Sequence, residues 1–264
     1  MEFVARYFLY YLIYSVLGYI CEVIYVGICT KKIADRGYLY GPLCPIYGFG
    51  ALIILLSLEW AYDYWWVVLI LGILLTSTLE YLTSFFMEII FHMRWWDYSD
   101  KFLNINGRVC LRNSLMFGAL VMVVIYLIHP YLVTKLVGLI TIPWVLYLVF
   151  GILLTVHIVD FIFSTIKHVS IRNIICKLEE YYAKAKEELS NVKDLAEAKV
   201  SNVKDLASNK VSTYKANLEE YFNGVSKKLE KFSIHYPSLK IKSSSKKRLS
   251  YSELKAKIKD RFVK

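Results

Sequence analysis

Five apolar runs divide the chain, with shorter polar segments between them. The hydrocarbon core of a membrane takes about 20 apolar helical residues to cross. Three runs reach that length, whereas the second and fourth need flanking residues to do so. The pattern therefore predicts an all-α fold, a polytopic membrane helix bundle of about five transmembrane helices. The runs are 8–28, 45–58, 65–90, 115–128 and 139–166.

Charge alternates along the loops between these runs. The first and third loops are basic, the second carries only acidic charge, and the fourth carries one lysine. Short basic loops are retained in the cytoplasm. We therefore expect a multi-pass protein of the cell membrane, with the N-terminus outside and both polar loops and the C-terminal tail in the cytoplasm. The basic loop residues are Lys31, Lys32, Arg36, Arg94, Lys101, Arg108, Arg112 and Lys135.

The formal net charge of +10 belongs to the part of the chain after residue 166. A basic segment beside a lipid bilayer is attracted to anionic lipid, by ~1 kcal/mol for each basic residue held at the surface. Nucleic acid is another polyanion, but no zinc-finger spacing, glycine-rich loop or base-stacking motif accompanies the charge. We expect anionic lipid at the basic tail and no nucleic acid.

The tail has the periodicity of an amphipathic helix. Apolar or small residues recur every ~3.6 positions from Leu178 to Phe232, and 190–200 is nearly repeated by 201–211. After Pro237 come a basic, serine-rich linker and a capping box from Ser250 to Glu253. The sequence predicts a transmembrane bundle with two polar cytoplasmic loops over 1–170, one long cytoplasmic helix over 171–236, and a basic linker with a short amphipathic helix over 237–264.

Ionisable residues within the apolar runs are candidates for function. Such a residue costs at least ~2.5 kcal/mol at the membrane centre, so it usually faces the interior of the protein. Glu80, Ser84 and Glu88 share one face of the third helix. This face is either a structural network with Arg36, Arg108 or His157, or part of a transport or catalytic site. His157 and Asp160 lie one turn apart and are a possible pair.

The polar segments 35–48 and 94–110 are too rich in specific polar and aromatic groups to be simple connections. Together with the charges in the helices they define a candidate polar site, in which no catalytic residue is assigned. The cysteines form no CxxC pair, so we expect no metal, and no cofactor is assigned. The site comprises Glu22, Arg36, Tyr47, Glu80, Glu88, Trp95, Trp96, Asp97, Asn104, Asn106, Arg108 and Asn113.

Several of these segments carry a family resemblance. The run 35–50 (DRGYLYGPLCPIYGFG), the runs WWDYS at 95–99 and NINGRVC at 104–110, and the pairs 113–114 and 129–130 resemble the bacterial family named Putative ABC-transporter type IV. The resemblance extends from about Tyr10 to Tyr131 and includes Gly18 and Glu22. It implies a bacterial permease component. The chain has no GxxxxGK[ST] loop, so an ATP-driven step needs a separate ATPase subunit. Five helices are an unusual number for half of a symmetric pore, and if the chain is a transporter they suggest a homodimer.

Two other classes of function stay open, so the sequence does not decide whether the chain is an enzyme. A membrane enzyme acting on a lipid-linked or envelope substrate would bind phosphate through Arg36 and Arg108 and use Asp97 or Glu22 as acid or base. Tyr47, Trp95 and Trp96 would then line the site. The third class is a membrane scaffold, in which the tail recruits partners and the polar loops lock the bundle.

Overall fold

The computed structural model describes residues 1–30, 37–197, 201–235, 240–242, 248–250, 252–253 and 256. Arg36 lies outside the described residues, as do most of the predicted linker and of the predicted C-terminal helix. Helices make up most of the described chain. They are α1 (Glu2–Thr30), α2 (Pro45–Leu58, continued by a 3-10 turn at Glu59–Ala61), α3 (Trp65–Phe91), α4 (Leu111–Val123), a π-helix (Val124–Val133), α5 (Thr134–Gly138), α6 (Pro143–Glu197) and α7 (Ser201–His235).

Short strands complete the described structure. β1 (Met93–Arg94), β4 (Lys240–Lys242) and β5 (Arg248–Leu249) form an antiparallel sheet in the order β1-β4-β5, with Met93 opposite Ile241. β2 (Asn104–Ile105) and β3 (Val109–Cys110) form a separate hairpin. These strands are short, and the predicted all-α membrane bundle is confirmed.

Four described helical stretches are long and apolar enough to cross a membrane: Glu2–Ile28, Trp65–Phe91, Leu111–Gly138 and Pro143–Leu178. The second predicted run, 45–58, forms the shorter apolar helix Pro45–Ala61. The fourth run is longer than predicted, because a π-helix carries the chain past Pro130. Proline cannot donate a backbone hydrogen bond. The ladder shifts instead, and the N–H of Thr134 bonds to the carbonyl of His129.

The chain divides into two compact units. Unit 1 contains 1–87 and 96–167, and unit 2 contains 88–95 and 168–264. The predicted domain boundary at residue 170 falls inside α6, because this helix runs without interruption from Pro143 to Glu197. In unit 1, one buried cluster joins α2, α3, α4 and the π-helix, and a second joins α1, α5 and α6. The first comprises Ile54, Leu58, Ala61, Val68, Val121 and Ile125, and the second Ala5, Leu9, Val137 and Leu146.

Close packing of α1 on α2 positions the start of the candidate site. A Cβ atom on Gly18 would lie 2.3 Å from Cγ of Tyr47, and one on Gly48 would lie 2.3 Å from Oγ of Ser15. Only glycine permits this approach. Pro45 begins α2, where its missing N–H costs nothing. The N–H of Cys44 bonds to the carbonyl of Ser15 at 2.9 Å, which ties the start of α2 to α1.

In unit 2 the tail differs from the predicted single helix. The rings of Tyr181 in α6 and Tyr221 in α7 lie 5.4 Å apart. In one straight helix these residues would be ~60 Å apart, at 1.5 Å per residue. The chain therefore reverses direction between α6 and α7. Among the described residues of this part of unit 2, the buried apolar side chains include Ile171, Ile175, Leu178, Phe222, Leu229 and Phe232. Folding back lets the two apolar stripes cover each other.

Candidate functional site

Two glutamates and two tyrosines from distant parts of unit 1 form a carboxylate cluster: Glu22 in α1, Tyr47 in α2, Glu80 in α3 and Tyr98 in the loop before β2. The Tyr47 hydroxyl donates to Oε1 of Glu22 at 2.7 Å. The Tyr98 hydroxyl donates to Oε1 of Glu80 at 3.2 Å. The two carboxyl groups are close enough to act on each other electrostatically. Three of the four are predicted site residues.

Glu80 is the most deeply buried carboxyl of this cluster. The residue is 5% exposed, and its Oε2 atom has no hydrogen-bond partner among the described residues. Burial, and then the neighbouring Glu80, raise the pKa of Tyr98 well above its usual range. The Tyr98 hydroxyl therefore keeps its proton and acts as the donor to Oε1. Glu80 has one satisfied and one unsatisfied oxygen.

Arg108 lies along the next turn of α3. Its Nη1 donates to Oγ of Ser84 at 3.2 Å, and its guanidinium carbon lies 5.6 Å and 5.3 Å from the ring centres of Tyr81 and Phe85. Cations bind to aromatic faces at such distances. Arg108 is 8% exposed. The predicted Arg108 site is therefore a buried contact between the 96–110 loop and α3.

The remaining candidates in this loop mainly shape its backbone. The Asn104 amide donates to the carbonyls of Ser99 and Lys101 and accepts the N–H of Gly107. Asp97 accepts the N–H and the hydroxyl of Ser99. Side chains that bond to nearby backbone groups in this way define turns.

Two more loop residues connect the hairpin to its surroundings in unit 1. The Trp96 Nε1 donates to the Arg108 carbonyl at 2.9 Å, and Asn106 Nδ2 donates to the Tyr81 hydroxyl at 2.9 Å. Asn113 is half-buried in the first turn of α4. These bonds hold the loop in one conformation. Within the described residues, Glu80 of the carboxylate cluster is a predicted site residue with one carboxyl oxygen, Oε2, that has no hydrogen-bond partner.

Glu88 and Trp95 belong to unit 2 and have other partners. Glu88 Oε2 accepts from Nη2 and Nε of Arg94 at 2.9 Å and 3.2 Å, and both side chains are buried. The Trp95 ring lies 5.4 Å from that of Phe91 and 5.7 Å from that of His168. The spacing along α3 predicts Glu88 on one polar face with Glu80 but gives no signal that Arg94 is its partner.

The sequence analysis also missed the role of Asp160. Its carboxylate accepts the backbone N–H groups of Tyr40 and Gly41, both at 2.9 Å, and the hydroxyl of Ser164. His157, its suggested partner, lies 3.1 Å from the Tyr11 hydroxyl and is also close enough to Asp160 to interact with it electrostatically. Asp160 therefore fixes the described end of the first polar loop to α6. Its position in an apolar run was the available signal.

The comparisons with known proteins extend the family resemblance. The family model described as Putative ABC-transporter type IV matches residues 9–165, more than half of the chain. The match includes the whole carboxylate cluster and continues into α6, beyond the end of the resemblance at Tyr131. No curated protein and no solved structure matches the chain.

Proposed function

We propose that this chain, which belongs to the Putative ABC-transporter type IV family, is the membrane permease component of a transporter whose ATPase is a separate subunit. The carboxylate cluster carries the proposal. Ionisable groups inside a membrane helix bundle are costly, and they mark pathways for ions and substrates. Here Glu22 and Glu80 come from two long apolar helices and lie within the family match.

A surface for the ATPase subunit is part of the proposal. The loop that ends in the β2–β3 hairpin exposes Phe102, Leu103 and Ile105, at 78%, 63% and 60%. Basic residues in this loop support the proposal that it lies on the cytoplasmic side. Exposed apolar residues grouped in a loop held by internal hydrogen bonds are suited to protein binding. We therefore assign the hairpin to contact with the ATPase.

Affinity purification tests this assignment. The tagged chain is purified from native membranes in mild detergent, and the proteins that accompany it are identified by mass spectrometry. We expect an ATPase with the wild-type chain and its loss with Phe102→Ser. The control is Leu139→Ser, because Leu139 is equally exposed, at 79%, in the loop between α5 and α6. Absence of an ATPase from the wild-type sample, or its equal loss from both variants, would contradict the proposal.

The proposed orientation has the N-terminus outside and the C-terminus in the cytoplasm. It requires Pro45–Ala61 to cross the membrane, although α2 alone spans only ~21 Å at 1.5 Å per residue. Cysteine introduced at Asp63, just after this helix, should react with an impermeant reagent from outside, and a reporter after Lys264 should be cytoplasmic. External reaction of a cysteine at Lys101 would refute this topology.

Two further partners are proposed. A homodimer would complete a symmetric pore, and cross-linking in membranes followed by mass measurement tests it. The basic tail would bind anionic lipid, and this binding should weaken as salt is raised. Comparing vesicles with and without anionic lipid tests the second partner. An unchanged affinity between the two vesicle types would exclude it.

The membrane-enzyme alternative gains less support. It needs Arg108 to offer its guanidinium to a substrate phosphate. That group instead lies against Ser84 and two aromatic rings of α3 and is largely buried. We therefore favour transport.

A further inference from the structure

We propose that the carboxylate cluster binds one proton within the membrane, and that Glu80 is the residue that carries and releases it. The inference rests on the proposed function in one respect: the proton would be the ion whose movement accompanies transport. The binding itself is a property of this chain alone. It is argued from the burial of Glu80 and from the atoms around it.

A negative charge on Glu80 would be costly. The side chain is buried, and Oε2 has no hydrogen-bond partner among the described residues. An isolated carboxylate in a medium of low dielectric constant is far more costly than a neutral carboxyl group. A proton on Oε2 removes the charge, while Oε1 keeps the hydrogen bond donated by Tyr98.

The charge of Glu22 acts on Glu80 and on Tyr98. Two neighbouring carboxyl groups in an apolar setting resist carrying two negative charges, so one of them retains a proton. Glu22 has the shorter hydrogen bond, at 2.7 Å from the Tyr47 hydroxyl, and is only half-buried. Glu80, the more deeply buried of the two, is therefore assigned the proton.

The other titratable groups around Glu80 do not replace the proton. Tyr98 faces it from the loop, and Cys110 acts on Tyr98 from the end of the hairpin. Tyr47, beyond Glu22, is in turn acted on by Cys44 and Cys21. The Arg108 guanidinium, which lies against the next turn of α3, is hydrogen-bonded to Ser84. Within the described residues, neither Glu22 nor Glu80 forms an ion pair.

A divalent metal fits the cluster less well than a proton. Calcium takes six to eight oxygen ligands, and magnesium requires an octahedral set. In the part of the chain that the structure describes, no group of three or more His, Cys, Asp and Glu residues is suited to a metal. Two carboxyl groups with tyrosine donors instead match the chemistry of proton binding.

The test uses dicyclohexylcarbodiimide, an apolar reagent that modifies protonated carboxyl groups in membranes. The carboxylic acid adds across a C=N bond of the reagent, and rearrangement leaves an N-acylurea on the side chain that mass spectrometry locates. The full-length protein in lipid vesicles is treated over a range of pH. Glu88 is the internal control, because it lies two turns further along α3, is also buried, and is paired with Arg94.

We expect an adduct on Glu80 and none on Glu88, with labelling of Glu80 declining as pH rises. Two variants should shift the pH of half-labelling in opposite directions. Glu22→Gln removes a like charge that favours the proton, so half-labelling should move to lower pH. Tyr98→Phe removes a hydrogen bond that favours the carboxylate, so half-labelling should move to higher pH. Thermal unfolding confirms that each variant is folded.

Three results would overturn the inference: no adduct on Glu80 at any pH, equal adducts on Glu80 and Glu88, or shifts of both variants in the same direction. The purified chain is labelled without an ATPase. A failed search for an ATPase with a positive labelling result would reject only the proposed function. The reverse combination would reject only the proton site.

Discussion

Replacing Glu88 with glutamine tests how much the buried ion pair between Glu88 and Arg94 contributes to the stability of unit 2. Glu88→Gln keeps the shape of the side chain but removes its charge. Arg94 is 1% exposed and donates hydrogen bonds from two of its nitrogen atoms to the Glu88 carboxylate. An arginine side chain remains charged in proteins. The variant therefore leaves a buried cation without its carboxylate.

Removing one partner of a buried ion pair lowers the free energy of unfolding by about 3–5 kcal/mol. For chains of 150–250 residues, each kcal/mol lowers Tm by about 2–4 °C, so Tm should fall by roughly 6–20 °C. The assay is thermal unfolding of the detergent-solubilised protein. Glu180→Gln is the matched control, because Glu180 forms an exposed pair with Lys184 at 2.7 Å. Exposed pairs contribute little, so this control should unfold at the wild-type temperature.

A double variant separates pairing from loss of charge. Removing both partners in Glu88→Gln with Arg94→Gln leaves no uncompensated charge. The double variant should therefore be less destabilised than the sum of the two single changes. Wild-type Tm in Glu88→Gln, or strictly additive losses in the double variant, would show that the pair does not stabilise unit 2.

Three further predictions concern packing. Gly18→Ala should lower the free energy of unfolding by about 1–3 kcal/mol, because the added Cβ would overlap Tyr47. Gly27→Ala is the control and should not lower it, because a Cβ there would meet nothing within 4 Å; the Tm values of the two variants are compared. Deleting 240–264 removes β4, so the amides of β1 should exchange hydrogen faster by mass spectrometry, and unchanged exchange would exclude this pairing. Arg108→Lys should lose about 1 kcal/mol of stability with its ring contacts, and an unchanged Tm would refute their contribution.

The membrane bundle could be predicted because its signal is local. The length of an apolar run decides whether a helix is long enough to cross a membrane, and that length can be counted directly from the sequence. The cost of charge in such a run likewise identified Glu22 and Glu80 before their surroundings were known. The length of the fourth apolar helical stretch could not be predicted from the sequence. Pro130 predicts that the helix is interrupted there, whereas in the structure a π-helix continues through Pro130.

The tail shows the limit of a periodic pattern. An apolar stripe that recurs with the helical period predicts a helix and an apolar face. It does not specify what covers that face. A continuous helix docked on a partner and two helices that cover each other have the same stripe. The contact of Tyr181 with Tyr221 shows the second arrangement.

The sequence by itself determined the membrane class, the family and the ionisable residues that need a partner. The tertiary structure decided which partner each one has. Tyr98 donates a hydrogen bond to Glu80, and Arg94 forms an ion pair with Glu88. The backbone N–H of Tyr40 donates to Asp160, which lies 120 residues away along the chain. A buried polar group must be satisfied wherever the fold places a donor or acceptor, and the distance along the chain does not limit that choice. Burial could be expected from composition, whereas pairing depends on packing of the helices and loops in three dimensions.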